Sequence, residues 1–396
     1  DGEPEVILDG LTFEKGSHTV ANGLRWGPDN WLYGRHGILP YSNVGKPGSP
    51  DQERTPVNVG VWRYHAEREV FEIVARGTTN PWGMDWNEQG ELFFINTVIG
   101  HLWHVIPGAR YRRMMGLDSD PRIYGVIEQT ADHVHWAVDE DWTDVRAGVT
   151  NATMEAGGGH AHTGLLFYQG AQWPKEWNGR LLTVNFHGRR FNVEHVEREG
   201  TGYVARHGED NFYFSDPWFR GIDLIPAPDG GIFVSDWSDT GECHEHDGVH
   251  RLSGRIYKIG YGASEPLGFS DLKSLGNKEL AERSLSNNVW QERMSRRILA
   301  DRAADGQEMS LAVAQLRKSL GADGAETTQR LRVLWALHAI NGTKWDQLVS
   351  LLDAEPESIR AWALRLLEDG SHESEVWRKN FLSLATDRLG RMAAAE

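Results

Sequence analysis

The chain has 396 residues, of which 39% are hydrophobic, 25% are charged, 44 are glycine and 17 are tryptophan. That length exceeds what one ordinary hydrophobic core supports, so two domains are expected, and the tryptophan content favours a β-rich fold. The formal net charge of −16 excludes a non-specific nucleic-acid-binding protein, because no basic surface is available to neutralise phosphates.

The only cysteine, Cys243, excludes an intramolecular disulfide and any cysteine-based zinc or iron–sulfur site within the chain. The C-x-x-C-H motif that attaches a c-type haem is missing from the sequence. No apolar run approaches the roughly 20 residues of a membrane span. The opening DGEPEVILDG has neither the basic start nor the apolar core of a signal peptide. We therefore expect no covalent haem and no membrane span here.

Residues 1–262 consist of short apolar strands separated by glycine, proline, asparagine and aspartate, and one unit recurs. NGLRWGPDNWLYGRHG (22–37) is similar to NPWGMDWNEQGELFFINT (80–97) and to FRGIDLIPAPDGGIFVSDWSD (219–239), and residues 162–188 form a looser copy. Each copy predicts a strand, a turn and a second strand. Repeated sheets of this size are typical of a β-propeller.

About four such blades can be counted in the sequence, whereas repeats of this kind often form six. Either the irregular stretch 110–150 contains another blade, or earlier blades precede residue 1. We therefore predict an all-β propeller of the six-bladed type. If earlier blades precede residue 1, the propeller is incomplete in this chain.

Residues 263–396 follow a helical pattern instead. Residues 287–303, 327–342 and 356–370 carry apolar side chains at i, i+3, i+4 and i+7, and glycine or asparagine closes several of these segments. Successive amphipathic helices predict a HEAT- or armadillo-like array. Its expected role is packing or binding of a partner protein.

Paired histidines mark the first candidate sites. The segment EAGGGHAHTG contains His160 and His162, and DHVHW contains His133 and His135. Alternate residues on a strand share a face, so each pair can converge on a divalent metal, either calcium or a transition metal, or can form a proton relay. A single histidine is better explained as a structural group bonded to backbone carbonyls, whereas the cluster favours a functional site.

The segment SDWSDTGECHEHDGVHR supplies Asp236 and Asp239 together with other metal-ligand types. These residues can bind a metal, although their spacing matches no EF-hand and a solvated loop explains them equally well. GHLWHV places His101 and His104 on opposite faces of a strand, which indicates a mostly structural role.

Arginines beside histidines form another candidate group. Arg35 in GRHG, and Arg189 and Arg190 in HGRR, suit recognition of a carboxylate or a sugar acid. Salt bridges between blades are the alternative explanation. His187 and Arg189 are also alternate residues and can face the same way.

Several long strings, among them NGLRWGPDNWLYGRHGI, AGGGHAHTGLL, DPWFRGIDL and VSDWSDTGECHEHDGVHRLSGRIYKI, resemble one family, the PVC-type membrane-bound dehydrogenases. That resemblance covers nearly all of residues 1–262. It implies a haem-associated propeller oxidoreductase whose first blades and c-type haem domain lie outside this chain. It also implies a periplasmic or other extracytoplasmic location.

The blades are more distantly similar to soluble quinoprotein sugar dehydrogenases, six-bladed propellers that hold pyrroloquinoline quinone and calcium. This likeness implies His18 or His187 in the place of a catalytic base or cofactor contact, and Asn80 and Arg220 as cofactor contacts. Thr79 stands where that family has an arginine, His187 stands where it has a lysine, and a second arginine near Arg220 is missing. Fewer basic groups therefore surround the expected place of the tricarboxylate.

These observations lead to one principal hypothesis and two alternatives. The principal hypothesis is an oxidoreductase acting on a sugar or polyol, in which His18, His162 or His187 removes a hydroxyl proton and electrons leave to a separate haem domain. Arg35, Asn80, Arg189 and Arg220 would position substrate or cofactor. The alternatives are a metal-dependent carbohydrate lyase or hydrolase that pairs the histidines with Asp236, and a non-catalytic binding scaffold.

Overall fold

The computed structural model contains a sheet-rich unit and a helical unit, as predicted from the two sequence patterns. The sheet-rich unit comprises residues 1–27, 31–267 and 287–290, and the helical unit comprises residues 28–30, 268–286 and 291–396. The structure describes residues 3–16, 18–97, 101–118, 120–123, 125–128, 131–132, 140, 150–155, 157–159, 161–240, 250, 252–263, 267, 271–320, 325–371 and 374–393.

The first two repeats form the first two antiparallel sheets. The first sheet has the order β1-β2-β5-β6, with β10 parallel to β6 at its outer side. Its strands are β1 (Asn22–Trp26), β2 (Leu32–His36), β5 (Gly60–His65), β6 (Val70–Thr78) and β10 (Arg110–Arg113), with β3 (Ser42–Val44) and β4 (Thr55–Val57) as a separate hairpin. The second sheet consists of β7 (Pro81–Trp86), β8 (Leu92–Asn96) and β9 (Leu102–His104), continued by β11 (Ala131–Asp132).

The third and fourth repeats form two further antiparallel sheets. The third consists of β12 (His162–Phe167), β13 (Leu181–Asn185), β14 (Arg190–Glu199) and β15 (Gly202–His207), with β16 (Phe212–Tyr213) paired to β14. Because β11 also pairs with β15, the second and third sheets are continuous. The fourth consists of β17 (Gly221–Pro226), β18 (Ile232–Asp236) and β19 (Arg255–Ile259). The short helix α1 (Asn151–Glu155) precedes β12.

The first strand of each repeat is bonded to the first strand of the next. The Asn22 amide donates to the Pro81 carbonyl over 3.4 Å, and the Phe167 N–H donates to Asp85 Oδ2 over 3.0 Å. Thr163 Oγ1 donates to the Gly221 carbonyl over 2.6 Å. These bonds connect β1 to β7, β7 to β12 and β12 to β17.

Arg25 connects the first strand of the fourth repeat, β17, to the first strand of the first repeat, β1. Its guanidinium forms an ion pair with Asp223 at 3.2 Å and donates to the Leu224 carbonyl at 2.5 Å. The fourth sheet is thus bonded back to the first. The predicted number of propeller blades stays a prediction.

Apolar clusters fill the spaces between successive sheets. One joins the first and second sheets, a second joins the second and third, and a third joins the third and fourth. Strand β14 shows why the sequence permits this: Phe191 and Val193 belong to the third cluster, whereas the alternate residues Arg190, Asn192 and Glu194 point to the other face. All five are buried, so one face of this strand is apolar and the other is a buried polar surface.

The helical unit contains seven α-helices within the described residues. They are α2 (Asn277–Arg283), α3 (Val289–Ala304), α4 (Ser310–Leu320), α5 (Thr327–Ala339), α6 (Trp345–Leu351), α7 (Glu357–Ser371) and α8 (Glu375–Ala393). Leucine and tryptophan side chains of α5 to α8 form one core, in which the rings of Trp335 and Trp362 are 5.2 Å apart. The HEAT-like arrangement stays a prediction. No described helix has the combination of length and apolar character that crossing a membrane requires.

Candidate functional site

The glycine run before β12 is bonded to the polar face of the third sheet. The Asn185 amide donates to the Gly158 carbonyl over 2.7 Å, and the Asn192 amide donates to the Gly157 carbonyl. A Cβ on Gly159 would lie 2.5 Å from Asn185 Oδ1, so only glycine allows this approach. The run is therefore a wall of a buried polar region.

His162, the first residue of β12, lies at the centre of this region with no exposed surface. Its Nε2 is 3.1 Å from the Gly157 carbonyl and 3.2 Å from the Asn192 amide nitrogen. The Gly157 carbonyl can only accept and the Asn192 amide nitrogen can only donate, so Nε2 has a bonding partner in either of its protonation states. The ring of His101 lies 4.7 Å away, nearly perpendicular to it. Two buried imidazoles therefore meet where β12 begins.

An ionic network borders the same polar face. Arg190 pairs with Asp210 at 2.9 Å, and His207 lies 3.4 Å from both Asp210 and Glu194. Burial lowers the pKa of His207, but hydrogen bonds to Asp210 and Glu194 outweigh it and raise this pKa to about 9. His207 is thus positively charged at neutral pH, and it lies directly against Gly157.

In three repeats the second strand ends at a polar residue whose side-chain oxygen accepts a backbone N–H. Asn96 Oδ1 accepts the Asn80 N–H at 3.2 Å, Asn185 Oδ1 accepts the Gly188 N–H at 2.8 Å, and Asp236 Oδ1 accepts the Arg220 N–H at 2.8 Å. Each anchors a loop at one end of the sheets. Asp236 additionally pairs with Arg255 at 2.7 Å, so both of its oxygens have partners.

Arg35 and Asn80 lie at this same end of the first and second sheets. Arg35 is 2% exposed, and within the described residues its Nε and Nη1 have no acceptor. Burial lowers the pKa of Arg35 to about 10, and this effect outweighs the negative charge of Asp223, which raises the pKa. Asn80 is also buried, and its Nδ2 likewise has no acceptor among the described residues. Both side chains therefore keep unused donors.

The other predicted residues lie in different surroundings. Arg220 donates to the carbonyls of Pro217, Phe219 and Thr240 at 2.8–3.2 Å, so its guanidinium holds a loop. Asp239 accepts from the Trp237 indole at 3.1 Å and from the Thr240 N–H at 2.7 Å.

Three more predicted residues are partly buried. The ring of His187 packs 5.3 Å from that of Phe186, Arg189 has a positive φ of 49°, and His18 lies in a turn. The structure therefore brings His162 together with none of these three in the contacts it describes.

The predicted metal ligands His133, His135 and His160 lie outside the described residues. Within the described part of the chain, no three histidine, cysteine, aspartate or glutamate side chains are arranged to hold a metal ion. The metal site stays a prediction.

Sequence reasoning missed several members of the buried polar region. His101 was expected to be structural, yet its ring contacts His162. The alternation of Arg190, Asn192 and Glu194 with Phe191 and Val193 was a usable signal, because a strand that is buried on both faces has no reason to alternate unless one face serves a polar purpose. His207, which faces Glu194 from the next strand, had no such signal.

A sequence profile of the family described as "Domain of unknown function (DUF7133)" matches residues 2–261. No curated protein matches the chain.

Solved structures similar to the chain include an oxidoreductase (glucose dehydrogenase) from Thermus thermophilus, with 20% identity, a TM-score of 0.34, and coverage of 59% of this chain and 63% of the other. The PQQ-bound aldose sugar dehydrogenase from Streptomyces coelicolor is 17% identical, with a TM-score of 0.35 and coverage of 60% and 61%. A further glucose dehydrogenase is 15% identical, with a TM-score of 0.34 and coverage of 61% and 64%. The chain thus spans less than two thirds of the length of these proteins.

Proposed function

The chain belongs to the DUF7133 family, and we propose that its sheet-rich domain is an oxidoreductase that acts on a sugar or polyol at the end of the sheets where His162 and His101 meet. The observation that carries this proposal is the contact between the two buried imidazoles of His162 and His101, whose ring centroids are 4.7 Å apart. Imidazole is the side chain most often used as a general base.

In the proposed reaction the His162 imidazole takes the hydroxyl proton while the carbinol carbon gives up a hydride, so that the alcohol becomes a carbonyl compound. The hydride would be taken up by a separate two-electron acceptor, for which dichlorophenolindophenol stands in the test below. Asn192 and the Gly157 carbonyl hold the imidazole in place, and the Arg190–Asp210 pair keeps the underlying strand fixed. Arg35 and Asn80 position the substrate through their unused donors.

Pyrroloquinoline quinone itself does not fit the described residues. It carries three carboxylates, and two of the positions expected to bind them offer no available cation. Arg220 is committed to three backbone carbonyls, and Thr79 is uncharged. No step of the reaction is therefore assigned to that cofactor.

The same proposal includes an extracytoplasmic location and a separate haem domain as the final electron acceptor. Its support is the resemblance of the long sequence strings to haem-associated propeller dehydrogenases. The helical unit is the proposed docking part for such a partner.

The test is dye-linked oxidation by the full chain. A panel of aldoses, ketoses, uronates and polyols is offered with dichlorophenolindophenol as the two-electron acceptor. His162→Gln is expected to lower kcat/KM by about 100-fold or more, because general-base catalysis contributes that much. His338→Gln in α5, a histidine bonded to Asp369 at 3.0 Å, is the control and should keep full activity. Dye reduction that is unchanged in His162→Gln would overturn the proposal.

A non-catalytic carbohydrate-binding domain is the second candidate, favoured by the complete burial of His162. In that case His162 only bridges the glycine run to the sheet. Sugar binding without dye reduction, together with a lowered Tm in His162→Gln, would establish this alternative.

A further inference from the structure

We propose that the end of the first sheet carries a carboxylate subsite built on Arg35, and that the carbohydrate bound there is an acidic sugar such as a hexuronate. This inference rests on the proposed function for the class of the ligand, which is a carbohydrate. It adds that the ligand is negatively charged. It does not depend on whether the bound sugar is oxidised.

The first argument is the burial of the Arg35 guanidinium. The side chain is 2% exposed, and its Nε and Nη1 have no acceptor among the described residues. Buried guanidinium groups normally pair with carboxylates or carbonyls, because a desolvated charge without a partner costs several kcal/mol. A bound anion would supply the two acceptors.

The second argument is the local charge. The carboxylate that acts most strongly on Arg35 is that of Asp223, and this group already forms an ion pair with Arg25 at 3.2 Å. Burial lowers the pKa of the neighbouring His36, so His36 adds no charge at neutral pH. Arg25, Arg35 and Asp223 together therefore leave one excess positive charge.

The third argument is the way the backbone accommodates Arg35. Gly23 lies against the guanidinium with a φ of 62°, and a Cβ at this position would overlap the side-chain nitrogens. The group is therefore held at the first strand, beside Asn22, the residue that pairs with Arg35 across β1 and β2. This position is fixed before any ligand arrives.

The neighbouring strand adds a neutral donor. The indole N–H of Trp82 donates to Asn80 Oδ1 over 2.9 Å, which identifies that atom as the oxygen of the amide and leaves Nδ2 as the donor. Within the described residues this Nδ2 has no acceptor. Asn80 is connected to Asn22 through the carbonyl of Pro81, which accepts the Asn22 amide over 3.4 Å.

These groups select a carboxylate over a phosphate. Nε and Nη1 donate on different sides of the guanidinium, so the bound ligand would place a carboxylate oxygen at one of them and a hydroxyl oxygen at the other. A single excess positive charge balances a monovalent anion, whereas a phosphate monoester carries between one and two negative charges. A sugar acid fits both conditions, since its hydroxyl groups can accept from Asn80.

The experiment compares D-glucuronate with D-glucose by calorimetry on the full chain. The two sugars differ only at C6, and glucuronate should bind about tenfold more tightly or better, as expected of a charge-assisted contact. Arg35→Met should abolish this preference and Arg35→Lys should retain part of it. The control Arg63→Met removes a guanidinium paired with Glu72 and should leave the preference intact.

Equal binding of the two sugars by the wild-type chain would overturn the inference, as would an unchanged preference in Arg35→Met. Tighter binding of D-glucose 6-phosphate than of glucuronate would show that the subsite serves phosphate instead. Calorimetry measures binding without turnover. Its result therefore does not depend on whether the chain reduces the dye.

The wild-type chain provides a test that needs no variant, in case Arg35→Met does not fold. Acetate and acetamide have nearly the same shape, and only acetate carries a charge. Acetate should compete with glucuronate and acetamide should not. Competition by both or by neither would contradict a subsite based on charge.

Discussion

Arg35 and Arg220 show how the acceptors around a guanidinium determine its role. Both arginines were predicted to position a ligand. Arg220 donates to three backbone carbonyls, so its charge stabilises the loop before β17. Arg35 is buried at the end of β2 with unused donors among the described residues, so its charge is available to a ligand. The same type of side chain thus stabilises a loop at Arg220 and keeps unused donors at Arg35.

Replacing Arg35 with methionine should make the protein more stable. A buried charge without a carboxylate of its own costs desolvation energy, and an apolar side chain of similar length removes that cost. We expect Arg35→Met to raise the free energy of unfolding in urea by about 1–3 kcal/mol. Arg25→Met is the comparison and should lower it, because Asp223 and the Leu224 carbonyl lose their partner. A loss of stability in both variants would contradict our account of Arg35.

The glycine run before β12 is the element on which the polar region depends. It packs against two asparagines of the third sheet and against His207, and at Gly157 the backbone adopts a φ of 79°. Side chains at these positions would separate the run from the sheet. His162, which follows the run, would then lose its contact with the Gly157 carbonyl.

A matched pair of glycines isolates this packing effect. Gly157 and Gly179 both have a φ of 79°, but a Cβ on Gly157 would lie 2.5 Å from His207 Nδ1, whereas a Cβ on Gly179 meets nothing within 4 Å. Gly179→Ala should therefore cost only the backbone strain, about 1 kcal/mol. Gly157→Ala should cost about 2–4 kcal/mol, because the ring or the run must move as well. Equal losses in thermal unfolding would show that the run is loosely packed.

At the scale of the whole sheet-rich unit, cohesion comes from bonds between successive first strands and from the apolar clusters between sheets. Four repeats are bonded in sequence, and Arg25 connects the last to the first. The third sheet adds a buried ionic network on its polar face. This network makes the stability of the unit depend on pH.

His207 should make the folded unit less stable in alkaline solution. Its pKa is about 9 in the folded protein and 6.5 when unperturbed, so folding favours the protonated form. The stabilisation is complete below about pH 6.5 and is lost as the pH rises towards 9, by an amount on the order of 2 kcal/mol. Urea unfolding at pH 6, 7.5 and 9 measures the change. His207→Gln should flatten this dependence, and parallel curves for the two proteins would refute it.

The sequence alone indicated a sheet-rich first part built from strand repeats and a helical second part. Strand repeats at residues 22, 80, 162 and 219 and helical periodicity after residue 262 are local patterns, and each reflects which face of an element is buried. The helices predicted for 287–303, 327–342 and 356–370 correspond to α3, α5 and α7. Histidine spacing also singled out His162, which is fully buried in the structure.

Only the tertiary structure decided which side chains meet and which donors remain unused. His101 and His162 are 61 positions apart, Arg25 and Asp223 are 198 apart, and no periodicity relates them. Whether the donors of an arginine are used depends on the carbonyls and carboxylates that distant strands bring to it, as Arg220 and Arg35 show. The physical reason is that burial and hydrogen bonding are properties of the assembled neighbourhood, whereas the sequence specifies only the groups that enter it.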